Sequence, residues 1–355
     1  MKDFVSIFQS EDYAVLARQL ITDTHLDLEK DGTAAQFIAS LEDAMKEVAS
    51  LQAEGAPLVA YMSISVMYTQ VYFNEFKLRL DFYSSEWPVT EPFYSTYINV
   101  DWLFTYWHAH EAAMEEAGKN QRAWIRQTHL ASMRWQSVRL LAYTLHAKLK
   151  YWLQNFTAAP AFKMLQREAA FYILFGEYQD WQSAVFADLP PIDLFNCSTD
   201  DALRFRVYEK CRYSKKKFVG LDLSLSRFRD CTFENCTFDD VDLSDVTFDH
   251  CQFSHCQFTQ VRLSGALFLG SRCSEVSFQE TVTEHLRRND GRNDTYRSLE
   301  FSDCTLENVR LINCQFPGAL LTDSQLIKLT IDGGDFTNSD FQEFVTAQIT
   351  KGGEV

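Results

Sequence analysis

Between Phe218 and Phe278 a large apolar residue stands at almost every fifth position, a period that belongs neither to a helix nor to an isolated strand. The centres are Phe218, Leu223, Phe228, Phe233, Phe238, Leu243, Phe248, Phe253, Phe258, Leu263, Phe268, Cys273 and Phe278. Two positions before most of them sits a small or β-branched residue, among them Ser226, Cys231, Cys236, Val241, Cys251, Val261 and Ala266. The other three positions of each unit are mostly polar. The kind of centre also repeats every 20 residues: Leu223, Leu243 and Leu263 form one set, and Phe218, Phe238, Phe258 and Phe278 another. A second period of four units is thus laid over the first.

The pattern resembles the pentapeptide-repeat family, in units such as CTFENCTFDD and CQFSHCQFTQ. The resemblance implies a right-handed quadrilateral β-helix with four pentapeptides per coil, the centre and the small residue two before it pointing inward. After Phe278 the register breaks and resumes at Phe301, Leu306, Leu311, Phe316, Leu321, Leu326, Ile331, Phe336 and Phe341. An 18-residue excursion at one corner accounts for the gap and keeps Phe316 and Phe336 on the wall of Phe278. The intervening EHLRRNDGRNDTYR reads as a polar loop with Asn-Asp-Gly turn chemistry, and Arg287, Arg288 and Arg292 are candidate loop contacts. The 22 centres make about five and a half coils, a rod on the order of 25 Å long. Open coil ends expose unpaired backbone and apolar cross-section. The amino-terminal domain is expected to cap the first end and the segment after Phe341 the second.

Before the repeat the five-residue period is absent, and steps of three and four appear. Trp124, Thr128, Ala131, Trp135, Val138, Ala142, Leu145, Leu149, Trp152 and Phe156 mark one stripe of a long helix, with Asn120 as its cap and Pro160 beyond its end. Further helices are expected over about 34–53, 58–82, 100–117 and 161–186. The fold class is thus α+β: an all-α domain over 1–190, a connector or solenoid cap over 191–215, the β-solenoid over 216–343 with a loop inserted at about 281–297, and a tail over 344–355. The uncharged stretch 55–74 holds Ser63, Ser65, Thr69 and Gln70 and reads as a buried core helix rather than a membrane span.

Chemistry is sparse. All nine cysteines follow Phe195 and mostly keep the repeat spacing, which points to interior packing in a reducing cytoplasm rather than to disulfides or zinc. The first residues, MKDFVSIFQSEDYAVL, lack a basic stretch followed by an apolar one, so no export signal of that type is visible; signal-independent secretion would leave no such trace. His108, Glu111 and Glu115 share a helical face that His110 leaves, and no fourth ligand follows. His250 and His255 fall at outward corners without a nucleophile. No phosphate loop or nucleophile elbow occurs, and neither an enzyme activity nor a cofactor is expected. Fifteen aromatic residues between Tyr61 and Trp107 are read mainly as core, with room for a binding pocket.

Charge carries the remaining signal. The net charge of −16 disfavours direct nucleic-acid binding. Residues 117–167 hold nine bases and no acid, and Arg122, Arg126, Arg134 and Arg139 form a candidate basic face, offset by the acidic segment before it. A second basic cluster, from Arg204 to Arg229, precedes the acidic part of the rod, where Asp239, Asp240, Asp242, Asp245 and Asp249 are the candidate interaction surface. The expected function is that of a non-catalytic bacterial interaction or scaffold protein, with a secretion-system effector or adaptor within the class. The units look particularly like those of the quinolone-resistance group, which implies a second reading as a DNA-mimicking modulator of a topoisomerase, and many of that group dimerise. A third reading is an enzyme in the helical domain, targeted by the solenoid.

Overall fold

The computed structural model describes residues 4–30, 32–87, 91–120, 125–154, 156–199, 202–283 and 298–344. The chain forms two compact units, Met1–Asp188 and Leu189–Val355.

The first unit is helical but not all-α. Helices α1 (Phe4–Phe8), α2 (Ala14–Leu28) and α3 (Thr33–Ala53) lead into β1 (Val59–Val66), α4 (Tyr68–Tyr72), β2 (Lys77–Tyr83) and β3 (Tyr94–Asn99). Then come α5 (Trp107–Asn120), α6 (Gln127–Trp152), α7 (Pro160–Met164), β4 (Arg167–Glu177) and β5 (Gln182–Asp188). The described strands form a five-stranded mixed sheet in the order β3-β2-β1-β4-β5, with β1 parallel to β4 and the other pairs antiparallel.

The helices expected over 58–82 and 161–186 are therefore largely strands, and the physical reason is burial of both sheet faces. In β1, Met62, Ile64 and Val66 enter the core while Ser63 and Ser65, on the opposite face, are buried as well. A strand covered on both sides loses the visible alternation and reads like a buried helix. The stripe helix is present as α6, starting at Gln127; Asn120 ends α5 instead, and Trp124 and Arg122 lie outside the described residues. The apolar sheet face packs on Leu41, Met45 and Val48 of α3 and on Val138, Leu141, Leu145 and Leu149 of α6.

In the second unit the chain coils from Val207–Glu209 onward. Strands of three residues stack in parallel: Tyr208 pairs with Phe228, Tyr213 with Phe233, and Phe218 with Phe238. The first coil thus begins two units before Phe218, with tyrosines in the central positions, inside the segment expected as a connector. Six strands among the described residues stack on one wall, from Val207–Glu209 to Leu320–Thr322.

Register around the insertion also differs from expectation. Phe268 is followed on its wall by Phe301, 33 positions on rather than 20, and Phe278 by Leu311. Arg262 bridges to Val282 and Val282 to Gln315, so buried Thr283 takes the next central position and Phe316 stacks after it. Thirteen residues, not 18, are therefore extra, and Phe316 and Phe336 lie on the wall of Leu263. Thr283 is polar, which hid it from an apolar count. Most of the inserted segment, with Arg287, Arg288 and Arg292, lies outside the described residues.

The interior is continuous and dry in composition. Phenylalanine rings stack between coils, Phe218 on Phe238 at 4.7 Å, Phe238 on Phe258 at 4.5 Å and Phe258 on Phe278 at 4.7 Å. The inward small residue satisfies its own polar atom: Cys231, Cys236, Cys251 and Cys256 thiols donate to carbonyls of the preceding coil at 3.3–3.4 Å, and Ser226 and Ser271 hydroxyls do the same. This explains why Cys, Ser, Ala and Val interchange at one position: each is small, and those with a donor find an acceptor there. Corners require left-handed backbone, supplied by Lys210, Asp230, Asn235, Asp240, His250, His255 and others. At Gly270 the same left-handed corner (φ +57°) is crowded as well, because an added Cβ would lie 3.0 Å from the His250 ring.

Residues before the first coil cover its cross-section. Leu194 and Leu203 are buried against the solenoid core, with Ile192 beside them, and the Phe195 ring lies 5.2 Å from that of Tyr213. At the other end Leu321, Leu326, Leu329 and Ile331 are only half-buried, and the tail beyond Phe344 lies outside the described residues.

Candidate functional site

Two surfaces stand out, one on each unit. On the solenoid, the walls can be numbered by their centres: wall 1 holds Leu223 and Leu243, wall 2 Phe228 and Phe248, wall 3 Phe233 and Phe253, wall 4 Phe238 and Phe258. The five aspartates singled out by sequence do not form one patch, because consecutive units turn through successive walls. Asp239 and Asp240 close wall 4, Asp242 and Asp245 belong to wall 1 and its corner, and Asp249 ends the strand of wall 2. Asp245 is buried, and Asp242 faces Arg262 at 3.4 Å. Burial works against the charge of Asp249, yet hydrogen bonds from His250 and Arg229 outweigh it and hold the carboxyl below its ordinary range.

Arg229 sits between Glu209 (3.0 Å) and Asp249 (3.1 Å), one coil either way, and Arg272 meets Glu307 at 2.8 Å. The basic cluster at the start of the rod is partly structural. Arg206 is buried and donates to the carbonyls of Ala202 and Pro190, and Lys216 donates to that of Phe195. Beyond Arg229, the described outward residues of wall 2 and its corner include Asp230, Asp249, Glu300, Asp303, Asp323 and Asp340, interspersed with Leu267, Leu269 and Leu320, and no Lys or Arg. Stacking made this tract; its acids are too far apart in sequence to read as a cluster.

In the first unit, Arg134 faces Glu111 at 3.1 Å and Glu115 at 2.7 Å, Arg139 grips Glu177 through two bonds of 2.7 and 3.0 Å, and Lys148 pairs with Glu29. The basic helix is thus held by acids of its own unit; Arg126 is the N-cap before α6, and its backbone N–H donates to His129 Nδ1. Burial raises the carboxyl of Glu177, but bonds from Arg139 and Trp181 help reverse the shift and leave it lowered. His108 is exposed, 3.7 Å from Glu111, whereas His110 is buried, 2.8 Å from Ser137 Oγ, and burial lowers its pKa to about 4. No group of three or more metal-binding side chains occurs among the described residues.

The second surface is the sheet face turned away from the helical core. Ser63 and Ser65 of β1, Asp81 and Tyr83 of β2 and Gln182 of β5 line a cleft of about 420 Å³, edged by Trp87, Glu91 and the turn 178–180. Asp81 is wholly buried and accepts two bonds from Arg79 Nε (2.8 and 2.9 Å) and one from Ser95 Oγ (2.5 Å). Ser63 donates to Gln182 Oε1, and Gln182 Nε2 donates to Ser65, both at 2.8 Å. Burial first, then Asp81, pushes the Tyr83 hydroxyl up to about 12. The aromatic density after Tyr61 thus supplies the cleft wall, but the buried serines, Asp81 and Gln182 come from strands far apart in sequence and carried no signal.

A family model for pentapeptide repeats, in eight copies, matches residues 300–342, the part of the array after the insertion. The carboxy-terminal unit is a pentapeptide-repeat solenoid. A model of the SV2A/B/C luminal domain matches residues 194–278. Among solved structures, the solenoid is similar in fold to QnrB1, a plasmid-mediated fluoroquinolone resistance protein, at 14% identity over 42% of this chain and 92% of that one, TM-score 0.20. It is similar as well to the pentapeptide-repeat protein Rfr23 of the cyanobacterium Cyanothece 51142, at 11% identity over 38% and 89%, TM-score 0.18. HetL of the cyanobacterium Nostoc, involved in regulating heterocyst differentiation, matches at 12% over 39% and 88%, TM-score 0.14. A search of curated proteins finds no match. No helix among the described residues is long and apolar enough to cross a membrane.

Proposed function

We propose that the protein is a non-catalytic interaction protein whose solenoid recognises a protein partner through wall 2. The observation that carries this reading is the acidic and leucine-bearing wall beyond Arg229, which has no Lys or Arg among its described residues and a single histidine, His250, paired with Asp249. The pentapeptide interior is filled by side chains, so recognition is left to the outer walls. Carboxylates beside apolar leucines suit a partner surface that is basic with an apolar centre. Binding of this kind weakens with salt, since the charges are exposed.

Asp303 and Asp323 are the residues to test. Both occupy left-handed corners, and Lys210, Lys215 and Lys328 occupy the same kind of corner, so lysine is tolerated there. The wild-type chain, used as bait in its native cells, is expected to retain its partner, and the Asp303→Lys/Asp323→Lys variant to lose it. Glu234→Lys on wall 3 is the comparison. Equal retention by all three proteins would overturn the reading.

The same wall supports the second reading, a DNA mimic acting on a topoisomerase. The other walls weigh against it, because bases such as Arg262, Arg272 and Arg310 interrupt their acids. Gyrase supercoiling with added protein separates the two: the interaction reading expects no change, and inhibition that the double lysine variant abolishes would favour mimicry.

A further inference from the structure

The cleft on the first unit has the chemistry of a small-molecule site, independent of the solenoid. Its floor is rigid: Ser63, Ser65 and Asp81 are each at most 2% exposed although they lie on the sheet face opposite the core. A polar group so far from water persists when its bonds are arranged in advance, and here Gln182 ties the two serines while Arg79 and Ser95 hold Asp81. The wall is aromatic. Trp87 lies 4.9 Å from Tyr61 and 6.4 Å from Tyr83, and Tyr178 is a further aromatic residue of the lining.

The charge balance selects the ligand. Arg79 neutralises Asp81 and is not itself among the lining residues, which leaves Glu91 and Asp180 at the rim with no base among the described lining residues. Anions are repelled, and a neutral sugar would use the floor but not the rim. The molecule also holds a cation of the right kind nearby: the Arg79 guanidinium lies 4.6 Å from the centre of the Tyr178 ring while its Nε bonds a carboxylate. A second alkylguanidinium or alkylammonium finds the same three elements in the cleft, namely an aromatic face, rim carboxylates and hydroxyl acceptors. The volume lies within the usual span for small-ligand sites.

We propose that this cleft binds an alkylguanidinium or alkylammonium group, its stem against Trp87 and Tyr83 and its charge toward Asp180 and Glu91. The group could be free or carried on a peptide side chain, and titration calorimetry of the full chain distinguishes the sources by using agmatine and acetylarginine amide as probes. Glucose and succinate are the neutral and anionic comparators. Agmatine, the amide or both are expected to bind with Kd below about 1 mM. Binding of agmatine alone assigns a free amine, and binding of the amide alone a peptide side chain. Glu91→Gln with Asp180→Asn is expected to weaken binding by roughly fivefold, in line with two exposed charges, and Trp87→Ala by about tenfold. All three residues are at least partly exposed, so an unchanged thermal midpoint confirms folding. No saturation by either cation up to about 10 mM, comparable binding of glucose or succinate, or full affinity in both folded variants would overturn the proposal.

Discussion

Truncating one ring of the central ladder should cost far more than truncating a residue at the open end of the same wall. Phe238 is 1% exposed and stacks on Phe218 at 4.7 Å and Phe258 at 4.5 Å. Phe238→Ala loses about 2 kcal/mol of transfer free energy. It also leaves a cavity of roughly 80–100 Å³, worth about 2 kcal/mol more at 24 cal/mol per Å³, because rings above and below are held by their own coils. The sum, about 4 kcal/mol, lies within the range usual for a buried Phe→Ala change. Ile331, on the same wall in the last coil, is half-buried, and Ile331→Ala should cost about 1 kcal/mol. Guanidinium denaturation of the full chain, followed by far-ultraviolet circular dichroism, measures both. All seven tryptophans precede Asp188, so their fluorescence follows the first unit and separates its transition from that of the solenoid. Equal losses in the two variants, or a loss under about 1 kcal/mol for Phe238→Ala, would refute the ladder as the source of stability.

Three further outcomes are expected. A thiol reagent added to the native protein should modify Cys197 and Cys211 readily and the other seven cysteines only on unfolding, since those are buried; burial also pushes the Cys304 and Cys314 thiols up to about 11. The first unit should lose stability on acidification from about pH 6.5 to 4, because His110 titrates near 4 when folded and near 6.5 when unfolded. The unfolded chain takes up the proton first, which opposes folding by up to about 3 kcal/mol, and His110→Gln should flatten that part of a stability–pH profile read by tryptophan fluorescence. Gly270→Ala should destabilise the solenoid by about 1 kcal/mol in the same denaturation assay, whereas Gly270→Ala combined with His250→Ala should recover part of the loss, because φ strain remains and the crowding is relieved.

The solenoid was legible because its period acts on every unit, although the one missed centre, Thr283, moved each later centre one wall from where the spacing placed it. What escaped were positions where the interior accepts a different side chain. Tyr208 and Tyr213 take central positions normally filled by Phe or Leu, and Thr283 takes one with a hydroxyl that donates to the Gln315 carbonyl. The first unit was less legible because strands such as β1 are covered on both faces and interleaved with helices. A run such as VAYMSISV fits a core helix as well as a strand until its partners are known. The cleft was invisible for the same reason, since Asp81 and Gln182 meet only through the pairing of β2, β1, β4 and β5.

The insertion after Thr283 shows how tolerant of growth this architecture is. Phe301 resumes the wall of Phe268, and Leu306 and Leu311 follow those of Cys273 and Phe278 as if nothing had intervened. A coil meets only the coils directly beside it, so errors of length at a corner do not propagate. Gene duplication or loss of whole coils could therefore adjust the reach of the acidic wall while leaving the neighbouring contacts in place, and corner insertions could furnish new loops without reopening the interior.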